Sequence, residues 1–297
     1  MAYYSGLATN FSDLLSALKT ACMASGWIVN GDIFSKNACF VKLSALTAEL
    51  RIEGGTGANS GNLTGGPSAD CYCRIMNFGS QIITWPVNYN IHLTDSDVFL
   101  CIKYNVSCYQ WMAWGVASVF GNLGTGNWFG ASVPFRVPNP PGINMGINPI
   151  VGDSYQGTPV PFWDGGNMGA GRFRCSYIHV EIDGLKWLGE SPTSPAVATM
   201  VNSVFLDRQP NSWNGESIFL PFLLSVARAS SKISCVAELN DCRLVRIEHY
   251  EPEQIITLGP EKWMIYPFYK KNILAPSGGG SINHTGTFGW AIRYDGP

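Results

Sequence analysis

Short stretches in which apolar and polar side chains strictly alternate recur along most of the chain. Thr47 to Glu53 puts Ala48, Leu50 and Ile52 on one side, with Thr47, Glu49, Arg51 and Glu53 on the other. Val87, Tyr89, Ile91 and Leu93 share a face, as do Val98, Leu100, Ile102 and Tyr104. Ile178, Val180 and Ile182 repeat the pattern, and Phe288, Trp290, Ile292 and Tyr294 repeat it again near the C-terminus. A period of two is the geometry of a strand with one buried face, and a helix cannot present it. Turn residues lie between these stretches. Asn30-Gly31 predicts a tight hairpin, and Thr94-Asp95-Ser96 joins two alternating runs into an antiparallel pair. Further strands are expected over 217–228, 232–239, 242–249 and 254–258. Glu261 to Tyr269 is apolar on both faces, so it is expected to be central in a sheet or pressed against another subunit.

Two helices interrupt this pattern. Asn10 or Ser12 can cap the first, Asp13 suits its positive end, and Leu14, Leu15, Leu18, Ala21 and Cys22 line one face before Gly26 stops it. A second, short helix is predicted to start at Ser194-Pro195, with Val197, Met200, Val201, Val204 and Phe205 as its apolar stripe. Gly54 to Ser68 reads as a glycine-rich loop. Between Gly115 and Gly171 the alternation collapses into glycine, proline and asparagine, a length of loop that is uncommon unless functional or covered by a partner. The expected fold is mainly β (α+β). Two β-rich halves, 1–133 and 172–297, flank a Gly/Pro-rich insertion at 134–171.

Composition narrows the functional classes. Charged residues make up 13% of the 297 residues, against about a quarter in an ordinary soluble domain. Large neutral, aromatic surfaces are therefore expected, and such surfaces are usually covered by neighbours. The formal net charge of -2 offers no basic face for phosphates, so no nucleic-acid partner is expected. The longest strongly apolar stretch, Ile218 to Ala227, contains Pro221 and falls well short of the about 20 residues a spanning helix needs, so no membrane insertion is expected. The opening MAYYSGLATN has no cationic start followed by an apolar run, which argues against a secretory signal. An odd count of 9 cysteines then reads as free thiols in a reducing cytoplasm.

The side chains that carry chemistry are scattered. Cys71-Tyr-Cys73 has one intervening residue, unlike the usual zinc spacing, and no second pair follows it. Cys101 and Cys108, or Cys235 and Cys242, can meet only across a hairpin. His92 and His179 fall on the polar faces of their strands, where solvated or hydrogen-bonded roles are expected; a turn site for a cation would need His92 with Asp95 and Asp97. No nucleophile–base–orienter set, phosphate loop or metalloprotease motif is present, and carboxylates such as Asp164, Glu181 and Asp183 form no recognisable pair. The chain is therefore expected to be non-enzymatic, with no cofactor and no metal. Lys262-Trp263 and Tyr266 to Lys271 interleave bases and rings, but a buried strand ending in a solvated lysine pair is the simpler reading. Trp111, Trp114, Trp128 and Trp163, in or near the loop-rich region, are candidates for stacking on a glycan or packing on a partner. Trp263, Tyr266, Phe268, Tyr269, Phe288, Trp290 and Tyr294 are candidate subunit-interface residues.

Two ends of the chain carry a family resemblance. Met1-Ala-Tyr-Tyr-Ser-Gly-Leu-Ala-Thr-Asn10 with Leu14-Leu15 resembles the openings of tail-associated structural proteins of tailed bacteriophages. Ile255 to Lys271 and His284 to Pro297 are similar to the C-termini of the same proteins. The resemblance implies a virion component of the tail tip or baseplate, assembled in the host cytoplasm, whose partners are copies of itself and other phage tail proteins. A host-surface glycan-binding tail component is the alternative, followed by a capsid or neck component. The final strand and the 115–171 stretch are the expected contact patches, with strand exchange at the C-terminus as their means.

Overall fold

The structure, a computed structural model, describes residues 1–67, 71–77, 82–121, 123–134, 160–162, 175–189, 197–198, 214–228, 230, 232–271 and 288–297. The chain opens with strand β1 (Ala2–Ala8) and helix α1 (Phe11–Ala24). Asn10 caps the helix by accepting the Asp13 N–H at 2.8 Å, and Gly26 ends the turn at a φ of 81°. Phe11, Leu14, Leu15, Leu18, Ala21 and Cys22 form its buried stripe. Next come β2 (Ile28–Asn30), β3 (Ile33–Lys36), β4 (Cys39–Ala45), β5 (Glu49–Gly55), β6 (Gly57–Asn59), β7 (Asn62–Thr64) and β8 (Cys73–Met76). They are followed by β9 (Val87–Leu93), β10 (Asp97–Asn105), β11 (Cys108–Val116), β12 (Ser118–Val119), β13 (Asn127–Ala131) and β14 (Val133–Pro134). The later strands are β15 (Ser176–Ile182), β16 (Leu185–Leu188), β17 (Val197–Ala198), β18 (Leu220–Ala227), β19 (Ile233–Arg246), β20 (Ile255–Leu258), β21 (Glu261–Pro267) and β22 (Phe288–Arg293). The fold is mostly β, with α1 as the one helix among the described residues.

Three sheets stack in layers. The central sheet has the order β1-β9-β10-β11-β13-β15-β16. One of its faces carries Phe99, Tyr109, Trp111 and Trp128 and meets Phe222, Leu224, Leu244, Tyr266 and Trp290 of an outer sheet ordered β17-β18-β19-β22-β21-β20. Its other face carries Leu100, Ile102, Met112 and Trp114 and packs against α1 and a third sheet, β14-β8-β5-β4-β3-β2. A strand in such a middle layer has no solvent face. That is why β10 and β11 are buried at nearly every position, where alternation alone implies one wet side.

The double coverage corrects several expectations. Glu49, placed outside by alternation, is buried in β5 and holds Arg51 at 2.6 Å and Arg74 at 2.9 Å. Gly54 to Ser68 is not simply a loop: β5 runs to Gly55, and β6 pairs with β7. The 115–171 stretch supplies β12, β13 and β14, and β13 lies inside the central sheet between β11 and β15. Its glycine is what the close packing demands, since a Cβ on Gly130 would stand 2.5 Å from the Cys175 carbonyl oxygen. Residues 122, 135–159 and 163–171 of that stretch lie outside the described residues. The expected boundary at 134–171 does not separate sheets, because β15 and β16 complete the sheet begun by β1 to β13, and β12 pairs with β19. The short helix expected from Ser194 is contradicted at Val197–Ala198, which form a strand against Val226 and Ser225; the remainder of that segment lies outside the described residues. The two strands expected over 232–249 are one, β19.

The final strand is the most instructive correction. It was expected to be a free edge suited to exchange, but β22 sits between β19 and β21 and is hydrogen-bonded on both sides. Removing it would strip the partner from both neighbours and take Trp290 and Ile292 out of the core. A chain truncated after Leu274 is expected to lose its cooperative thermal transition altogether, which circular dichroism of the purified product would read.

Candidate functional site

The candidate aromatic residues are gathered together, but inward. Trp111, Trp114 and Trp128 are fully buried, as are Trp263, Tyr266, Phe268, Trp290 and Tyr294, while Tyr269 is half-buried. Trp111 meets Trp290 edge-on with ring centroids 5.1 Å apart, and Phe99 meets Trp290 at 5.5 Å. Trp111, Trp128, Tyr266, Phe268, Trp290 and Tyr294 lie between the central and outer sheets, Trp114 packs toward α1 and the third sheet, and Trp263 belongs to a separate cluster of the outer sheet, so none of them presents an open face. The reason is the second covered face of the central sheet, which consumes large apolar side chains on both sides. Trp163 and the Phe288 side chain lie outside the described residues.

Between the same two sheets lies a polar cluster that sequence reasoning did not assemble. His92 of β9 is 1% exposed, and its Nε2 lies 2.8 Å from the Tyr266 hydroxyl of β21. Tyr3 of β1 donates to Asn90 Oδ1 at 2.6 Å, and Asn90 Nδ2 donates to Glu253 Oε1 at 3.2 Å. Tyr109 reaches the same carboxylate oxygen at 3.4 Å. Glu253 takes a left-handed φ of 67°, unusual for a side-chain-bearing residue, and its N–H donates to the Ile265 carbonyl at 2.7 Å. The strained turn before β20 is thus tied both to β21 and to the central sheet. Only the alternation of β9 hinted at this, by placing Asn90 and His92 off the main apolar face.

Electrostatics make the cluster a fastening. Burial pushes the His92 pKa down to about 3, with a backbone hydrogen bond at Arg293 pulling weakly the other way. Burial likewise raises the hydroxyls of Tyr3, Tyr109 and Tyr266 above their ordinary values. Near neutral pH, imidazole and phenols all hold their uncharged forms, so the network exchanges hydrogen bonds between sheets without moving charge.

The remaining candidates do not converge. His92 and Asp97 have different partners, Tyr266 and Trp128, and the Asp95 side chain is 88% exposed, so the three form no cation site. His179 is buried, accepts the Thr125 N–H at 3.1 Å and packs against the Trp187 ring. Cys235 and Cys242 lie on one strand, with Cys235 exposed and Cys242 buried, and Cys108 is opposite Asn105 while Cys101 is opposite Trp111. Neither cysteine pair faces itself. Cys71 and Cys73 are buried with Cys175 around the Tyr177 ring, and no group able to hold a metal occurs among the described residues. Lys271, expected in solvent, is buried and donates to the carbonyls of Glu248 and Tyr250.

Large apolar side chains that stay outside include Val106 in the β10–β11 turn and Met23 on α1, and a further set on edge strands. Ile28 of β2 is 68% exposed and Leu7 of β1 is 61% exposed; Tyr4 of β1 and both Ile255 and Leu258 of β20 are also exposed. Each of these strands has a partner on only one side among the described residues. No protein-family model matches the chain, and no curated protein matches it.

The cluster makes acid stability a direct test. His92 binds a proton near pH 6.5 when unfolded but only near 3 when folded, so the unfolded chain holds more protons between those values. Stability is expected to fall as pH drops through that window, by up to about 1.4 kcal/mol per pH unit from this residue. The His92→Gln variant, which keeps a hydrogen-bonding end without titrating, is expected to flatten that part of the decline in thermal unfolding at pH 7.0, 5.5 and 4.5.

Proposed function

We propose that this protein is a non-enzymatic structural component of a bacteriophage tail, at the tail tip or baseplate, working through contacts with copies of itself and with other tail proteins. The observation that carries the reading is the character of the open edges. Strands β1 (AYYSGLA), β2 (IVN) and β20 (IITL) close one end of the central, third and outer sheets respectively. None contains a charged residue or a proline. Lone soluble β proteins guard such edges with lysine, proline or bulges, because a row of unpaired N–H and C=O groups recruits another strand. At the opposite edges of the central and third sheets the guarded form appears: β16 carries the exposed Lys186, and β14 ends in Pro134, which has no N–H to offer. Unguarded edges with aliphatic side chains suit a building block whose neighbours complete its sheets. One edge on each of three layers suits contacts in several directions. The resemblance of both chain ends to tail-associated proteins supplies the biological setting.

A glycan-binding tail component receives less support. Its three described candidate tryptophans are core residues, so replacing Trp128 by Ala would unfold the chain before it tested any receptor. A capsid or neck position would use the same edges, and the location of the chain in the particle separates it from the tail tip.

Lysine at an edge is the direct test. Leu7→Lys, Ile28→Lys and Ile255→Lys are each expected to change unfolding free energy by no more than about 0.5 kcal/mol, since these side chains are exposed. Together they are expected to abolish self-association in sedimentation velocity and incorporation into tails. A wild-type chain that stays monomeric at high concentration and is missing from purified tails overturns the proposal.

A further inference from the structure

The most unusual single group in the molecule is the carboxyl of Asp97, at the start of β10 on the face turned toward the outer sheet. The residue is 0% exposed. Its backbone closes the β9–β10 turn, with its N–H donating to Thr94 Oγ1 at 3.0 Å and its carbonyl accepting the Thr94 N–H at 2.9 Å. Oδ1 accepts the Trp128 indole N–H at 2.8 Å, while Oδ2 has no hydrogen-bond partner among the described residues. Space for the carboxyl exists because Asp97 is opposite Gly115 on β11, where a Cβ would come within 2.7 Å of the Asp97 Cα.

Among the described residues no cation faces this group. From β19 it meets Asp241, itself a carboxylate held by Arg293 at 3.8 Å, and the thiol of the buried Cys242. From β4 the Cys39 thiol lies within its field. From β13 comes the neutral Trp128 indole, and from β11 the Val116 backbone N–H, which also donates to the Ser96 carbonyl at 3.2 Å. An ionised carboxylate here would be buried with only neutral donors, the Trp128 indole on Oδ1 and the Val116 N–H nearby, and with a second carboxyl across the sandwich. Burial first, and Asp241 second, hold Asp97 well above the usual carboxylate range, against the smaller pull of Trp128 and Val116.

We propose that Asp97 is a proton-operated latch between the central and outer sheets, closed while its carboxyl is neutral and released by ionisation in alkaline solution. Ionisation would draw water to Oδ2 and part β10 from β19 at that point, loosening the clasp that β12 makes with Glu238 and Ala237 of β19. This inference does not depend on what the chain assembles with. The sign follows from proton counts. Folded Asp97 keeps its proton at pH values where the unfolded residue has lost it, so the folded state binds more protons and stability falls as pH rises through that range.

The test compares the full-length wild type with Asp97→Asn, which keeps the acceptor for Trp128 but cannot ionise. Denaturant unfolding is measured at half-unit steps from pH 5 to pH 9. The unfolding equilibrium constant of wild type relative to the variant is expected to rise up to about tenfold per pH unit, until Asp97 ionises in the folded state. Amide exchange in β10 and β19 is expected to accelerate with pH more in wild type than in the variant. Parallel stability profiles overturn the proposal. If the Asn variant does not fold, infrared spectra of wild type carrying 13C-carboxyl aspartate decide the matter. A protonated carboxyl band that persists at neutral pH and vanishes in alkali supports the latch, and its absence at neutral pH overturns it.

Discussion

A seven-stranded sheet with protein on both faces is the constraint from which the rest of this structure follows. A sheet in that position cannot sort its side chains into wet and dry rows, so every position must be apolar, small or satisfied by a partner. The aromatic residues are consumed on one face, where Trp111, Trp128 and Phe99 meet Trp290 and Tyr266, and on the other, where Trp114 meets Trp27 and Phe34. Most polar residues that remain in the layer have a partner, with Asp97 Oδ2 the main exception among the described residues. Gln110 exchanges hydrogen bonds with the backbone of Met76, Asn127 donates to the carbonyls of Ala38 and Gly55, and His92 is held by Tyr266. Low charge content, which suggested a neutral exterior, is better explained by this thick interior: a chain that buries both faces of its largest sheet has fewer positions left for charge.

Strand existence was legible because alternation is a local property. The helix with its Asn10 cap, the β9–β10 hairpin, β15 and β22 all lie where period and turn chemistry put them. Alternation also identified the faces of Leu50 and Ile52 correctly. It failed where burial depends on more than the period. Glu49, His92 and His179 occupy polar positions of the pattern yet are buried: His92 by the outer sheet, Glu49 under Arg51 and Arg74 of its own sheet, and His179 beside Trp187 on the neighbouring strand. Asn127 to Ala131 was missed because its glycine and asparagine read as loop, although close contact with β15 and the third sheet is what requires them. Sheet order is wholly non-local, and so β22 looked like a terminal edge while being an interior strand. The polar cluster was illegible for the same reason: Tyr3, Asn90 and Glu253 are far apart in the chain, and only pairing of β1 with β9 and the turn before β20 brings them together.

The molecule concentrates its two unusual features in different places. Its interior contains polar groups whose charged forms burial disfavours: the His92 pKa is pushed down among phenols, and the Asp97 pKa is held up beside another carboxyl. Its periphery contains unguarded backbone at β1, β2 and β20. The first arrangement ties stability to proton concentration from both directions, through a histidine that resists charging and an aspartate that resists discharging. The second leaves rows of backbone N–H and C=O groups without a neighbouring strand among the described residues, the kind of surface that adds a strand through main-chain hydrogen bonds.

The order of strands along the polypeptide has a consequence for synthesis. The central sheet is assembled from residues 2 to 188, whereas the strands that cover its Trp111 and Trp128 face begin at Val197 and end at Arg293. A ribosome therefore releases a nearly finished layer whose aromatic face stays bare until the last strand, β22, slots between two older ones. Nascent chains interrupted in the second half would present that face to solvent, which makes this interval the natural point for chaperone capture and for co-translational misassembly.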